Sequence, residues 1–294
     1  MANVKELRGR IKSVKNIAQI TKAMEMVASM KLRKVQARAL ASRPYTEEIR
    51  TLGQHLSDCV ANDAELPLFR SRPVSTVGVF VVTSDRGLCG AYNANILSRL
   101  HRYLDEQKAA GRKVRLYVYG RKGYTYLYRR NFDVEKFFVE PPLDKMDFDG
   151  ARMVVQKLVE DFESGVVDQV RLFYTSFLTV AKFAPTDVDF LPVPRSEFED
   201  DVDHSLEYDY LLEPSAEALL DLLVPKYLET VVFDAMLQSL AAEHASRRMA
   251  MKGATDAASR MSVELQRIYN RARQESITKE LLDIVGGATA VQSA

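Results

Sequence analysis

Several kinds of reactive site have no counterpart in the sequence. The only two cysteines, Cys59 and Cys89, lie in unrelated segments, so neither a disulfide framework nor a metal cluster is expected, and a reducing compartment fits best. Neither phosphate-cradling motif, G-x-G-x-x-G or G-x-x-x-x-G-K-[ST], occurs in the chain. The histidines show no metal-ligand spacing and are each predicted at the surface: His55, His101, His204 and His244. No cofactor, metal site or catalytic group is therefore predicted.

Proline and glycine are almost missing from both ends of the chain. From Asn3 to Arg43 there is no proline, and the same holds from Lys226 to Val285, where Gly253 is the one glycine. Stretches of this length predict long helices, and their frequent charges exclude a membrane span. The start MANVKELRGR has no apolar signal core, so no secretion or transit segment is predicted. Synthesis and function are therefore expected in the cytosol.

Charge is unevenly distributed although the net charge is only +1. Residues 1–60 hold twelve basic and five acidic residues, whereas residues 196–213 hold eight acidic residues and no basic one. The acidic stretch is interpreted as a solvated loop. A basic first helix could bind nucleic acid, but its charges alternate with apolar residues and lack interleaved aromatics. This pattern equally indicates a solvated coiled-coil face or a face that meets an acidic protein.

Apolar residues in the long C-terminal helix fall into a seam at alternating steps of four and three residues. This spacing is typical of a coiled coil, and its small members allow a partner helix to approach closely. The N-terminal segment repeats apolar residues at similar spacing, from Val4 through Leu7, Ile11, Val14, Ile17 or Ala18, Ile20 and Met24 to Val27, and supplies that partner. The predicted C-terminal seam consists of Ala254, Ala258, Met261, Leu265, Ile268 and Ala272.

Between the helices the period changes to that of alternating strands and helices. Val77–Val82 is a short run rich in β-branched residues, typical of a buried strand, and further strands are expected at 114–119, 134–139, 170–174 and 187–191. The predicted fold class is therefore α/β plus a long antiparallel coiled coil, the central domain being Rossmann-like with a mainly parallel sheet. The predicted domains are residues 1–66, 74–195 and 209–288, the first and last pairing with each other.

Prolines mark the expected breaks in the helical segments. Pro44 is predicted to kink the first helix, which should end before Pro67. Pro214 is predicted in the first turn of a short helix, and Pro225 is predicted to precede the long C-terminal helix.

Three unrelated blocks, in fixed order and spacing, give the chain a resemblance to the gamma subunit of bacterial F-type ATP synthases over nearly its full length. They are RIKSVKNIAQITKAMEMVASMKLRKVQ at 10–36, TSDRGLCGAYNANI at 83–96 and YNRARQESITKELLDIVGGA at 269–288, supported by EHASRRMAM at 243–251. The chain departs from the family pattern at positions that include Ala18, Gln19, Met30 and Tyr92. None of these changes removes a group that the family's function needs.

The resemblance implies a non-catalytic rotor. In that family the coiled coil stands inside a hexamer of alternating alpha and beta subunits, and the α/β body lies beside the epsilon subunit and the ring of c subunits. It also implies that proton flow is coupled to ATP synthesis and hydrolysis at the cytoplasmic face of the cell membrane, without direct membrane insertion of this chain. By family position, the residues that contact beta subunits are Gln274, Thr278, Glu280 and Arg33.

Two other hypotheses stay open at this point. An enzyme could use the α/β domain with the coiled coil as an oligomerisation stalk, although the missing phosphate motifs disfavour it. A nucleic-acid clamp could use the basic helix, and a steep loss of binding with salt would support it. The coupling ion and the regulatory state are not readable from this chain.

Overall fold

The computed structural model describes residues 4–59, 66–194, 213 and 215–292. The chain forms two compact units, one of Met1–Ser29 with Arg247–Ala294 and one of Met30–Ser246. Two long helices, α1 (Val4–Cys59) and α5 (Ala216–Gln292), contribute residues to both units. Among the described residues, no helix is long and apolar enough to cross a membrane.

The Met30–Ser246 unit is built on a five-stranded sheet. Its strands are β1 (Thr76–Val82), β2 (Lys113–Tyr119), β3 (Val134–Phe138), β4 (Gln169–Phe177) and β5 (Phe183–Leu191), in the order β3-β2-β1-β4-β5. All neighbouring strands are parallel except β4 and β5. The connecting helices are α2 (Tyr92–Ala109), α3 (Arg121–Tyr128) and α4 (Phe148–Glu163). The predicted α/β class with a mainly parallel sheet is confirmed.

Helices cover both faces of this sheet, which explains why β1 has no polar residue after Thr76. Six of its seven residues are buried, as expected for a central strand without a solvated face. On one face, α2 and α3 pack against Val77, Val79 and Val81. On the other face, α4 and parts of α1 and α5 pack around Phe80 and Val82.

The sheet unit is wider than residues 74–195. All five strands fall inside those limits, but buried residues of both long helices, such as Leu32 and Val35 of α1 and Leu237 and Leu240 of α5, belong to the same core. The unit of Met30–Ser246 therefore includes the C-terminal part of α1 and the N-terminal part of α5. The acidic stretch lies outside the described residues except for Glu213.

The prediction that Pro225 precedes the long helix is wrong, because α5 passes through it without a break. Proline removes one hydrogen bond, the one to the carbonyl four residues earlier. That carbonyl belongs to exposed Asp221, where water can replace the lost donor. Buried Leu220 and Leu228 hold the helix against the core on either side of the proline. Pro214 itself lies outside the described residues, and α1 likewise continues through Pro44.

Candidate functional site: the two long helices

In the unit of Met1–Ser29 and Arg247–Ala294, α1 and α5 lie side by side and antiparallel. The side-chain oxygens of Thr21 and Thr255 are 2.7 Å apart. Six residues earlier on α1, Lys15 lines a groove with Ser262 and Gln266, which come later on α5. Movement toward the N-terminus of α1 therefore corresponds to movement toward the C-terminus of α5.

The less exposed positions of each helix recur at steps of three and four residues, as in a coiled coil. Outward from the Thr21–Thr255 contact, the two series advance together. On α1 they are residues 18, 14, 11, 7 and 4, and on α5 they are residues 258, 262, 265, 269 and 272.

Two of the six predicted seam residues lie on the exposed side of α5. Met261 and Ile268 are 53% and 44% exposed, and Ser262 and Tyr269 are partly buried beside them. The remaining predicted residues are buried or partly buried: Ala254, Ala258, Leu265 and Ala272.

The same shift occurs on α1 and has the same physical reason. Ile17 and Ile20 are more than half exposed, whereas Ala18 and Thr21 lie in the seam. A four-three spacing can be drawn through either of two adjacent positions. Close approach of two helices selects the smaller side chain at several of them, so the bulkier apolar residue is left on the outer surface.

The four predicted partner-contact residues are all exposed: Gln274, Thr278, Glu280 and Arg33. Gln274 and Thr278 are four residues apart and share one face of α5. Glu280 lies ~120° around the helix from Gln274, at about 100° per residue, and its carboxylate accepts a hydrogen bond of 3.2 Å from the Ser276 hydroxyl. Gln274 and Thr278 therefore share one exposed polar patch, and Glu280 lies on a different face of α5.

Sequence reasoning missed a set of exposed apolar residues near the C-terminal end of α5. Their exposed fractions range from 47% to 68%, and they are Ile277, Leu281, Leu282 and Ile284. Exposed apolar surface concentrated in this way commonly marks a protein contact. The signal was present in the sequence as apolar residues beyond the last seam position.

In the sheet unit, α5 fills the crevice where this fold class usually binds ligands. Open α/β sheets bind ligands outside the carboxyl ends of the strands, where neighbouring connections diverge. Here that point lies between β1 and β4, and α5 occupies it. Backbone N–H groups of Thr175 and Phe177 on β4 donate to Ser239 Oγ (3.1 Å) and Gln238 Oε1 (3.4 Å) of α5. On the β1 side, Ser246 Oγ donates to the carbonyl of Cys89 at 2.6 Å.

The apolar part of this crevice is equally closed. Ala242 of α5 packs against Cys89 and Tyr92, and all three are almost completely buried. Burial raises the pKa of the Tyr92 hydroxyl far above its ordinary value, so it stays neutral. The space that would receive a nucleotide thus holds a helix of the same chain.

The polar side chains of the turn after β1 form hydrogen bonds within the protein. Ser84 Oγ donates to the carbonyl of Arg86 and receives a hydrogen bond from the Asn93 side chain, each 2.7 Å long. The Asp85 carboxylate accepts from the backbone N–H groups of Arg121 (3.1 Å) and Leu143 (3.3 Å). The turn therefore fixes the start of α3 and the short helical turn Leu143–Lys145.

Within the sheet unit, Asp144 of the turn Leu143–Lys145 contacts residues of both long helices. His244 Nε2 of α5 lies 3.1 Å from its Oδ1, and Lys31 of α1 forms an ion pair with its Oδ2. These contacts, the hydrogen bond from His244 first, hold the pKa of the Asp144 carboxyl well below its ordinary value despite partial burial. The prediction of a surface His244 is wrong, since its side chain is 2% exposed. His101 is partly exposed as predicted, and the side chain of His55 and all of His204 lie outside what the structure describes.

Across the described ranges, no group of three or more His, Cys, Asp or Glu side chains could hold a metal ion. The polar groups brought together on α1 and α5 instead form bonds within the protein. Their arrangement suits mechanical attachment of helices.

Comparison with known proteins agrees with this description. A family model described as ATP synthase matches residues 3–291. The ATP synthase gamma chain of Janthinobacterium sp. is 40% identical over 99% of this chain and 100% of its own length, and that of Chloroherpeton thalassium is 41% identical over the full length of both. The gamma chain of Dehalococcoides mccartyi is 41% identical over 99% of this chain.

The fold also matches solved structures of low sequence identity. A chain in the cryo-EM structure of the Euglena gracilis mitochondrial ATP synthase (OSCP, F1 and c-ring) gives a TM-score of 0.67 at 19% identity, covering 99% of this chain and 95% of that one. A chain in the rotor structure of the same enzyme gives 0.64 and covers 93% of this chain.

Proposed function

This chain belongs to the ATP synthase gamma-chain family, and on that premise we propose that it is the central rotor subunit of a bacterial F-type ATP synthase. In this role it performs no chemistry. It turns with the membrane sector and couples ion flow there to ATP synthesis and hydrolysis in the catalytic head.

The observation that carries this proposal is the filled crevice between β1 and β4. Ser239, Ala242 and Ser246 of α5 occupy the place where an α/β enzyme would bind its nucleotide. The missing phosphate motifs point the same way. An enzyme that uses this domain with the coiled coil as an oligomerisation stalk, the alternative left open by the sequence, is therefore disfavoured.

The paired helices have the features that a rotor inside a protein ring requires. A single helix is only marginally stable in water, and pairing along a seam from Val4 to Thr21 on α1 and Thr255 to Ala272 on α5 supplies the missing packing. Polar Gln274 and Thr278 and the nearby apolar residues lie exposed on α5, available to a surrounding subunit.

The expected partners are the alternating alpha and beta subunits of the head, the epsilon subunit and the c-subunit ring. We place the chain at the cytoplasmic face of the bacterial cell membrane, held there through the complex. Protons are the proposed coupling ion, as is usual in the family, although ion-binding residues belong to other subunits.

Reconstitution with purified alpha and beta chains tests the proposal. Gel filtration should show stoichiometric incorporation of this chain, and the complex should hydrolyse ATP while this chain alone does not. Failure to enter the complex would overturn the proposal.

Equilibrium dialysis of the chain alone against ATP separates the rotor from the enzyme. No tight binding is expected. Micromolar affinity that is abolished by substitutions at Gly87 and Gly90, in the turn after β1, would instead support the nucleotide-dependent enzyme.

A further inference from the structure

One short segment of α5, Gln238–Ser246, is bonded to the sheet unit on two nearly opposite sides. Ser239 and Ser246 bond to the strand ends and the turn after β1, at 3.1 Å and 2.6 Å. At about 100° per residue, these two serines lie within ~20° of each other on the helix surface. They define one contact line along α5.

His244 lies on the other side. By the same geometry it is ~140–160° around the helix from the two serines, and it contacts Asp144 at 3.1 Å. The side chain of His244 is 2% exposed and that of Asp144 is 33% exposed, so the contact lies at the edge of the core. Polar bonds therefore hold the helix from both sides.

The residue that His244 contacts is itself anchored. The Leu143 N–H donates to the Asp85 carboxylate at 3.3 Å, and the Tyr119 hydroxyl donates to the carbonyl of Pro141. The following residues are fixed too, because the Arg38 side chain of α1 donates to the carbonyl of Met146. Segment 141–146 is thus bonded to the turn after β1, to β2 and to α1 as well as to α5.

The mechanical consequence depends on the direction of these bonds. The hydrophobic effect itself has no preferred direction, so the rotational position of α5 is set by the fit of its packed side chains and by directional polar bonds. Hydrogen bonds lose strength steeply when the donor and acceptor are misaligned. Turning α5 about its axis would move Ser239 and Ser246 one way and His244 the opposite way, so bonds on both sides would break together.

We propose that Gln238–Ser246 is a rotational lock, in which Ser239, Ser246 and His244 are positioning residues that prevent α5 from turning about its own axis within the α/β unit. Torque on the α/β unit is then transmitted to α5 without rotation of the helix within the unit. Torque on α5 is transmitted to the α/β unit in the same way. This inference rests on the proposed rotor function and names the residues that make the rotor stiff.

The test measures torsional stiffness in the assembled complex. A probe is attached to an engineered cysteine at exposed Ala109 of α2, in a Cys59→Ser background, with the alpha and beta head immobilised. The angular variance of the probe is recorded during pauses of ATP-driven rotation. In the triple variant Ser239→Ala, His244→Ala and Ser246→Ala, the variance should rise by about twofold or more, because polar contacts are lost on both sides while apolar contacts remain. The ATPase rate of the head should stay near that of the parent.

The matched control is Tyr117→Phe, which removes the buried hydrogen bond of 2.5 Å from Tyr117 of β2 to Asp161 of α4. Its variance should equal that of the parent. Restoring His244 in the triple variant should recover part of the stiffness. If the triple variant does not assemble, His244→Ala alone is compared with the same control.

The outcomes separate the two claims. If parent complexes hydrolyse ATP but the probe does not rotate, the proposed rotor function fails. If the probe rotates and the serine and histidine variants keep the parental variance, the lock is refuted while the rotor stands. Equal softening in the Tyr117→Phe control would also refute the lock, since any lost buried bond would then have the same effect.

Discussion

Lys31 and His244 bind the two oxygens of one carboxylate, that of Asp144. They belong to α1 and α5, helices from opposite ends of the chain, and Asp144 belongs to a turn between β3 and α4. Within the sheet unit, one side chain thus contacts parts of both long helices. Because Asp144 acts as an anion toward two donors, this connection depends on pH.

Asp144→Asn should lower the free energy of unfolding by about 1–2 kcal/mol near neutral pH, as expected for lost hydrogen bonds to a charged group. The pKa of Asp144 is lower in the folded protein than its ordinary value of 3.8, mainly because His244 hydrogen-bonds to the carboxylate. The stabilisation is therefore present above about pH 4 and is lost as pH falls through the folded-state pKa. Urea unfolding across this range should show the parent and the variant converging in acid.

Exposed Asp133 provides the control for that measurement. Asp133→Asn should change the free energy of unfolding by less than about 0.5 kcal/mol at any pH, as for most surface substitutions. A constant gap between the parent and Asp144→Asn from neutral pH into acid would contradict a role for the carboxylate charge.

The register of the paired helices can be tested by a disulfide. With the side-chain oxygens of Thr21 and Thr255 2.7 Å apart, cysteines at both positions should cross-link on mild oxidation. The product, linking the two ends of the chain, is seen as a mobility shift on a non-reducing gel. Thr21→Cys with Ser262→Cys is the control, since residue 262 lies two turns away along α5, and efficient cross-linking of that pair would show a different register.

Substitutions at Leu265 and Met261 should separate the seam from the outer surface. Leu265 is partly buried and Met261 is 53% exposed. Leu265→Asp should therefore destabilise the paired helices by about 1–3 kcal/mol, because it places an unpaired charge in a packed interface, whereas Met261→Asp should cost little. Thermal melting followed by circular dichroism measures both, and equal melting temperatures would mean that the seam is assigned to the wrong face.

Gly120 should tolerate no side chain. It has a φ of +99°, and an added Cβ would lie 2.1 Å from the carbonyl oxygen of Thr83. Gly111 has a φ of +70° with no atom within 4 Å of such a Cβ. Comparing substitutions at the two glycines therefore separates the cost of a steric clash from the cost of backbone strain. Gly111→Ala should cost about 1 kcal/mol, and Gly120→Ala should cost at least about 2 kcal/mol more, from the overpacking. Denaturant midpoints of the two variants decide this, and similar losses would argue against a tight contact of Gly120 with the turn after β1.

Coupling should be separable from stability at Gln274 and Thr278. Both side chains are exposed, so Gln274→Leu with Thr278→Val should leave the melting temperature nearly unchanged. Complexes with this double variant should nevertheless lose ATP-driven proton pumping or ATPase rate, because the change would remove the two polar contacts with beta subunits that we propose for these residues. Glu280→Gln, on a different face of α5, is the comparison. Normal pumping by assembled double-variant complexes would remove these residues from the proposed contact.

Local pattern was sufficient to predict the elements of the fold. The β-branched run at 77–82 and the strand-helix alternation after it identified a mainly parallel sheet, and the lack of proline and glycine identified both long helices. These features depend on side-chain periodicity along one segment, which a sequence displays directly. The three sequence blocks that resemble the gamma subunit indicated the family. Relatives that are about 40% identical over the full length show the same family.

Tertiary structure alone decided which side chains meet. Periodicity could not choose between Met261 and Ser262, because the choice depends on how closely α1 approaches. Nor could it place His244 in the interior, because the carboxylate that receives it is 100 residues away in sequence. The same reason applies to the crevice between β1 and β4, which is filled by a helix far away in sequence. Contacts between distant segments are selected by packing and by hydrogen-bond satisfaction in three dimensions, and no single segment carries that information.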